Sequence, residues 1–293
     1  MNRSQLLRFL AIATVPALAF QVLAITDGSS GRRWLLATMW CPALAALVSS
    51  RASRALAWRA LRRFKVRHVP LGLAVGMLMP VLHDLVLWAT GTGSWSTARF
   101  PLAPDHRGIA AVHHVSLLFG GGAQSLGMFA CNLAASLVVG SILVGVIAGL
   151  GEELGWRAVL QPEAVRRSGA LRGTIFVGLF WAYWHLPANL AGYNDPVHPV
   201  LTSLVLFPIG VVALALALGW LTQRTGSVWP AALAHGANNT LSGALVLDPT
   251  GWAGDNIANL IAAIIVAGGF GLLLARQART SGSRRREVAA AGP

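Results

Sequence analysis

The sequence predicts an all-α, polytopic membrane helix bundle with about eight transmembrane helices. Three observations carry that expectation. Of 293 residues, 55% are hydrophobic and 11% charged, with a mean hydropathy of +0.61. An ordinary soluble domain carries about 25% charged residues, so this chain lacks the polar surface to cover a globule. The apolar residues gather in eight runs close to the ~20 residues that a spanning helix needs. Lysine and arginine then fall predominantly on every second connection, as membrane topology requires.

The runs are roughly Leu6–Ile25, Trp34–Ser50, Pro70–Ala89, Leu126–Leu160, Leu171–Leu190, Val200–Leu221, Val228–Leu247 and Asn256–Ala275. The first also reads as a signal peptide, with Arg3 and Arg8 ahead of it and Ala17-Leu18-Ala19 resembling a cleavage site. A retained helix is the expectation, and the following helices keep the same orientation in either case. The second run is short and contains Pro42. The fourth is too long for one perpendicular helix, so it must tilt, extend beyond the bilayer or begin with an interfacial segment after Gly120-Gly121-Gly122. The organisation read from these runs is N-terminal helices and loops over 1–125, a core over 126–250, a last transmembrane helix over 251–276, and a basic tail over 277–293, expected to be disordered.

Orientation follows from counting Lys and Arg. With the N-terminus in the cytoplasm and the runs alternating, 19 of the 23 basic residues lie on the cytoplasmic side, and Arg32, Arg33, Arg99 and Arg107 lie outside. Both termini are therefore expected in the cytoplasm of a multi-pass cell-membrane protein. The same asymmetry accounts for the formal net charge of +13 without nucleic acid, which is not an expected partner. Seven of the basic residues fall between Arg51 and Arg67. They read as an amphipathic helix resting on anionic headgroups at the bilayer surface. Cys41 and Cys131 lie in apolar runs without metal-ligand spacing and read as small apolar side chains. The adjacent pair His113-His114 does not share a helix face and makes a poor metal site.

Three polar clusters interrupt the apolar helices, where ionisable groups are costly and mark function by default. The first is Gly151-Glu152-Glu153-Leu154-Gly155-Trp156-Arg157, which holds two of the chain's ten acidic residues. Residues four apart share a helix face, so Glu153 can pair with Arg157, leaving Glu152 about 100° around the helix. Because Trp156, Ala158, Val159 and Leu160 continue the apolar pattern, the helix is expected to run to about Gln161, with Glu152 about 13 Å inside that end. The second cluster is His185, about 20 Å along the fifth run. The third is His235 with Asn239, which share a face about 10 and 16 Å deep in the seventh. Each alone is compatible with packing: a helix-end charge cluster, a core histidine, or polar groups joining helices. Together they reach similar depths on three helices. A carboxylate and an imidazole can deprotonate water, and an imidazole and an amide can hold an oxyanion. Glu152, His185 and His235 are also candidate metal ligands, although no His-Glu-x-x-His zinc motif is present.

These residues, Glu-Glu-x-x-x-Arg, aromatic-x-x-x-His and His-x-x-x-Asn in that order, resemble the CAAX protease and bacteriocin-processing family, also called the type II CAAX prenyl endopeptidase or Abi family. The resemblance covers about Val144 to Leu247. It implies an intramembrane endopeptidase acting on a membrane-anchored peptide or protein in the lipid bilayer. Glu152 would activate water beside Glu153, Arg157 would be the structural partner, His185 would act with the carboxylate, and His235 and Asn239 would hold the oxyanion. The family usually has Phe four residues before the second-motif histidine; here Trp181 stands there, a change expected to affect packing and the substrate groove, not the chemistry. The resemblance leaves open a metalloprotease with a divalent metal such as zinc and a metal-free glutamate mechanism. Two other classes stay open on the residues themselves. One is a proton- or ion-coupled transporter using the same intramembrane groups together with His83 and Asp84. The other is a non-catalytic membrane immunity or scaffold protein.

Overall fold

The computed structural model describes residues 1–27 and 31–290, with the side chains of all of these except 32 and 278–290. It is an all-α membrane helix bundle, and each of the eight apolar runs forms a helix. α1 (Arg3–Thr26) begins at Asn2, whose side chain accepts the Gln5 N–H while the Gln5 side chain accepts the Asn2 N–H, a reciprocal cap. α2 (Gly31–Val48) bends by 115° into α3 (Arg51–Arg62). The bend is set at Ser50, which leaves the helical region and accepts the Ser53 N–H at 3.0 Å. α4 (Val69–Thr90) ends on Gly91, whose φ of 67° is a left-handed conformation that glycine adopts without steric cost. The remaining helices are α5 (Leu126–Ser168), α6 (Ala170–Trp184), α7 (Leu186–Leu190), α8 (Pro199–Thr225), α9 (Trp229–Ser242) and α10 (Gly251–Ala290).

One expectation needs correction, the end of the fourth run, and two are refined. Among the described residues, five helices are long and apolar enough to cross a membrane, or six if the bent α2–α3 pair is one span, against about eight expected. The shortfall is largely in α6 and α9, which have 15 and 14 residues and reach only about 22 and 21 Å. α6 stops at His185, just before Pro187 in the first turn of α7, and α9 stops at Gly243. Secondly, α5 runs through Pro162 to Ser168 rather than ending near Gln161. It contains two π-helical turns, Gly145–Gly149 and Trp156–Leu160. In the second, the Gln161 N–H reaches back five residues to the Trp156 carbonyl, so the ladder has already slipped where Pro162 brings no donor. Thirdly, α10 continues to Ala290 through the stretch expected to be a disordered tail; residues 291–293 lie outside the described set.

The 91–125 connection folds back over one end of the bundle. β1 (Gly93–Trp95) pairs antiparallel with β4 (Leu247–Pro249), and β2 (Gly108–Ile109) with β3 (Gln124–Ser125). Phe100, Ile109 and Phe129 form a small separate core there. The main core draws on all the long helices, α1 to α6 and α8 to α10, and the polar cluster lies inside it. The connection after α7 is pinned by Asp195. Its carboxylate accepts the backbone N–H groups of Val197 and His198 at 2.9 and 3.0 Å, the Thr202 hydroxyl at 2.7 Å and the Trp252 indole at 2.7 Å. These donors, the His198 N–H foremost, hold the carboxyl well below the usual carboxylate range.

Candidate active site

Glu152 and Glu153 lie on the short α-helical stretch Leu150–Gly155, between the two π turns of α5, and every residue of it is buried. Such insertions often mark functional positions because they rotate the side chains on either side of them. Two glycine pairs allow this stretch to be enclosed. Gly145 and Gly149 lie against the Ala232 carbonyl of α9, where a methyl group on either would stand 2.8 Å from that oxygen. Gly151 and Gly155 lie against the α2 backbone at Met39 and Pro42. Small residues at such crossings let helix backbones approach closely. Here they bring α9 and α2 against opposite sides of the carboxylate pair.

The two glutamates have separate partners. Glu153 Oε2 is 3.2 Å from Arg157 Nε, and both side chains are fully buried. Glu153 Oε1 is 3.1 Å from His235 Nδ1; an ionised carboxylate only accepts, so Nδ1 is the donor. The pairing of Glu153 with Arg157 is the one that the four-residue spacing predicts. The pairing with His235 joins α5 to α9 and was not legible in the sequence.

Glu152 faces α6. Its Oε2 accepts the Trp181 indole N–H in a short hydrogen bond and the Trp156 indole N–H at 3.4 Å. Its Oε1 has no hydrogen-bonded partner and lies 3.8 Å from His185 Nε2. The other ring nitrogen, His185 Nδ1, is 2.9 Å from the Trp181 carbonyl. A carbonyl accepts, so the hydrogen sits on Nδ1, and neutral His185 presents an Nε2 lone pair towards Glu152. His185 is the C-cap of α6 rather than a mid-helix residue. Its ring is held edge to face by Trp184 and Phe207, with centroids at 4.9 and 5.6 Å. It is 24% exposed while Glu152 is closed off, so access to the carboxylate runs past this imidazole.

Trp181 binds the arrangement together. Its ring packs edge to face on His235 at 5.2 Å and lies under the Arg157 guanidinium at 4.9 Å, while its N–H holds Glu152. The expectation that Trp in place of Phe matters to packing and the substrate groove, not to the chemistry, is therefore too narrow: a phenyl ring has no N–H to give this carboxylate. The Trp156 contact was available to sequence reasoning, since Trp156 follows Glu152 by four residues. The Trp181 contact was not, because it depends on how α6 packs on α5.

Asn239 is one turn beyond His235 on α9 and is exposed. Its side-chain oxygen accepts from Asn238 at 3.4 Å. The structure thus brings together Glu152, Glu153, Arg157, His185 and His235, and leaves Asn239 at the edge of the cluster. His83 lies elsewhere. It is 2.9 Å from Asp255 and 3.3 Å from Asp84, and Asp84 also accepts the Val246 N–H at 3.1 Å. This is a tie between α4, the strand connection and α10, with each carboxylate already engaged.

Glu152, His185 and His235 do not stand as a ready ligand group. Among the described residues no three His, Cys, Asp or Glu side chains converge as ligands.

No curated protein matches the chain. Residues 133–241 match the family model described as type II CAAX prenyl endopeptidase Rce1-like. The matched segment contains Glu152, Glu153, Arg157, His185, His235 and Asn239, which are the residues of the buried cluster and the amide at its edge. Over that segment the chain is similar to the type II CAAX prenyl endopeptidase Rce1-like family.

Proposed function

We propose that the protein is an intramembrane endopeptidase that hydrolyses a peptide bond in a membrane-anchored peptide or protein. The observation that carries this reading is the facing pair Glu152 Oε1 and His185 Nε2, 3.8 Å apart, with the remaining atoms of both groups already held in place. A water bound at that pair meets two acceptors. Glu152 takes its proton, and the oxygen attacks the scissile carbonyl. His185, fixed by the Trp181 carbonyl, orients the water. In its imidazolium form His235 donates Nδ1–H to Glu153 and Nε2–H to the developing oxyanion. The exposed Asn239 amide supplies the second donor once substrate fills the cleft. The proton on Glu152 then passes to the leaving amine as the C–N bond breaks, so the carboxylate ends as it began. Glu153 and Arg157 do not touch substrate; they hold His235 and neutralise each other.

The test is cleavage of internally quenched, lipid-anchored peptides by purified protein in detergent, comparing wild type with Glu152→Ala and His235→Ala. Each substitution should lower the rate by at least about 10²-fold, the scale of losing a general base or an oxyanion donor. Wild-type rates in both variants would refute the assignment. A chelator titration of the same reaction should leave the rate unchanged.

A further inference from the structure

The seven basic residues Arg51, Arg54, Arg59, Arg62, Arg63, Lys65 and Arg67 lie within seventeen positions, and all are exposed. The segment 51–67 has no acidic residue. Elsewhere, carboxylates take up basic groups: Asp27 pairs with Arg33, Asp248 with Arg99, and Glu163 with both Arg166 and Arg167. Among the described residues no carboxylate pairs with any of the seven. The same segment exposes Trp58, Phe64 and Val66 by 50, 50 and 74%. Unpaired cations interleaved with exposed aromatic and aliphatic side chains fit an anionic bilayer surface, where the rings enter the headgroup layer and the guanidinium groups meet phosphates. The 115° bend after α2 lays α3 across the end of the bundle rather than along it.

The inner face of α3 has a different task. Ser53, Ala57 and Ala60 are buried, and α3 packs on the π turn Trp156–Leu160 of α5. Its C-terminal carbonyls, which a helix leaves without internal partners, are taken by the start of α9. Ala60 O accepts the Val228 N–H at 3.5 Å, and Leu61 O accepts the Trp229 indole at 2.8 Å. Phe64 then packs edge to face on Trp229 at 5.5 Å. One short helix therefore touches both the helix that carries Glu152 and Glu153 and the helix that carries His235.

We infer that α3 and the residues to Arg67 are a docking surface for the anionic phospholipid headgroups of the bilayer, and that seating it there clamps α5 against α9. Anionic lipid stabilises the fold through this surface. The inference concerns lipid binding and stability, so it stands apart from the protease reading; only its consequence for activity rests on that reading.

The experiment uses the full chain in mixed micelles. Its thermal unfolding midpoint is followed while phosphatidylglycerol or phosphatidylcholine is titrated in. Phosphatidylglycerol should raise the midpoint saturably and phosphatidylcholine should not. High salt should weaken the response, because exposed charges are screened beyond a few ångströms at 1 M. A basic residue at an anionic surface is worth about fivefold in partitioning. Replacing Arg51, Arg54, Arg59 and Arg62 by Gln should therefore raise the half-saturating phosphatidylglycerol by at least about 10²-fold. The four Arg→Lys replacements should keep the response, as should Arg172→Gln and Arg224→Gln. If the Gln variant does not fold, the Lys variant and the salt dependence decide. An equal response to phosphatidylcholine, a response unchanged by salt, or the same half-saturation in the Gln variant would overturn the inference. So would an equal stabilisation by an RNA oligonucleotide or an acidic peptide, which would make the surface a general polyanion site. Lipid-dependent stability without any cleavage would count against the protease reading alone.

Discussion

Replacing Trp181 by Phe tests the site with a very small change. The ring stays aromatic and keeps its place against His235 and under Arg157, but the N–H that reaches Glu152 Oε2 is gone. A hydrogen bond to a charged acceptor contributes about 1.5–3 kcal/mol. Glu152 is fully enclosed, so no bulk water replaces the donor, and the upper half of that range applies. Trp156 keeps one contact to the same oxygen at 3.4 Å, which is too long to hold the carboxylate alone. The carboxylate can then rotate, and Oε1 no longer faces His185 Nε2. Misplacing a reacting group by about 1 Å costs on the order of 10²-fold in rate. The variant should therefore lose about 2–3 kcal/mol in reversible unfolding and about 10–100-fold in kcat, with KM unchanged because substrate contacts are intact.

The control is Trp184→Phe. The Trp184 indole donates to the Ala13 carbonyl at 3.1 Å, a neutral bond worth about 0.5–1.5 kcal/mol. It should lower stability and leave kcat alone. The measurements are unfolding in detergent and steady-state cleavage of a lipid-anchored quenched peptide for the two variants and wild type. A Trp181→Phe protein with wild-type stability and wild-type kcat would refute the reasoning. Equal kcat losses in both variants would reduce Trp181 to packing.

Three further outcomes follow from the same structure. Arg157→Met should destabilise by about 3–5 kcal/mol by leaving Glu153 buried without its cation. Adding Glu153→Gln should recover part of that, and a double-mutant cycle of unfolding free energies measures the coupling. Gly76→Ala should cost about 1–3 kcal/mol, since the added methyl meets the Ala234 backbone next to His235; Gly268→Ala, where nothing stands within 4 Å, should be neutral. Asp195→Ala tests a pH dependence. A carboxyl held below its ordinary range in the fold contributes stability fully above about pH 4 and loses it as pH falls through the lowered folded value. The unfolding midpoints of wild type and variant should thus differ by a constant amount from neutral pH down to about pH 5 and converge only at more acidic pH.

What the sequence could and could not reveal divides along one physical line. Hydropathy sees the total apolar content of a stretch, so the eight runs were visible. It does not see where an enclosed helix stops. α6 and α9 are flanked by further apolar residues after His185 and Ser242, and a helix apolar on nearly every side has little polar face to mark its phase. The two π turns of α5 were hidden for the same reason. Within one helix, spacing carries real information: Glu153 and Arg157, four apart, meet as expected, and Glu152 and Trp156 could have been read in the same way. Between helices, spacing says nothing. The bonds of His235 to Glu153 and of Trp181 to Glu152 depend on how close the backbones come. Against α9 that closeness is set by glycines at 145 and 149, residues that add nothing to a list of reactive groups. The chemistry of this cluster therefore depends on side chains that are absent as much as on those present. A larger residue at Gly145 or Gly149 would separate α5 from α9 and break the Glu153–His235 bond while leaving every candidate catalytic residue in the sequence.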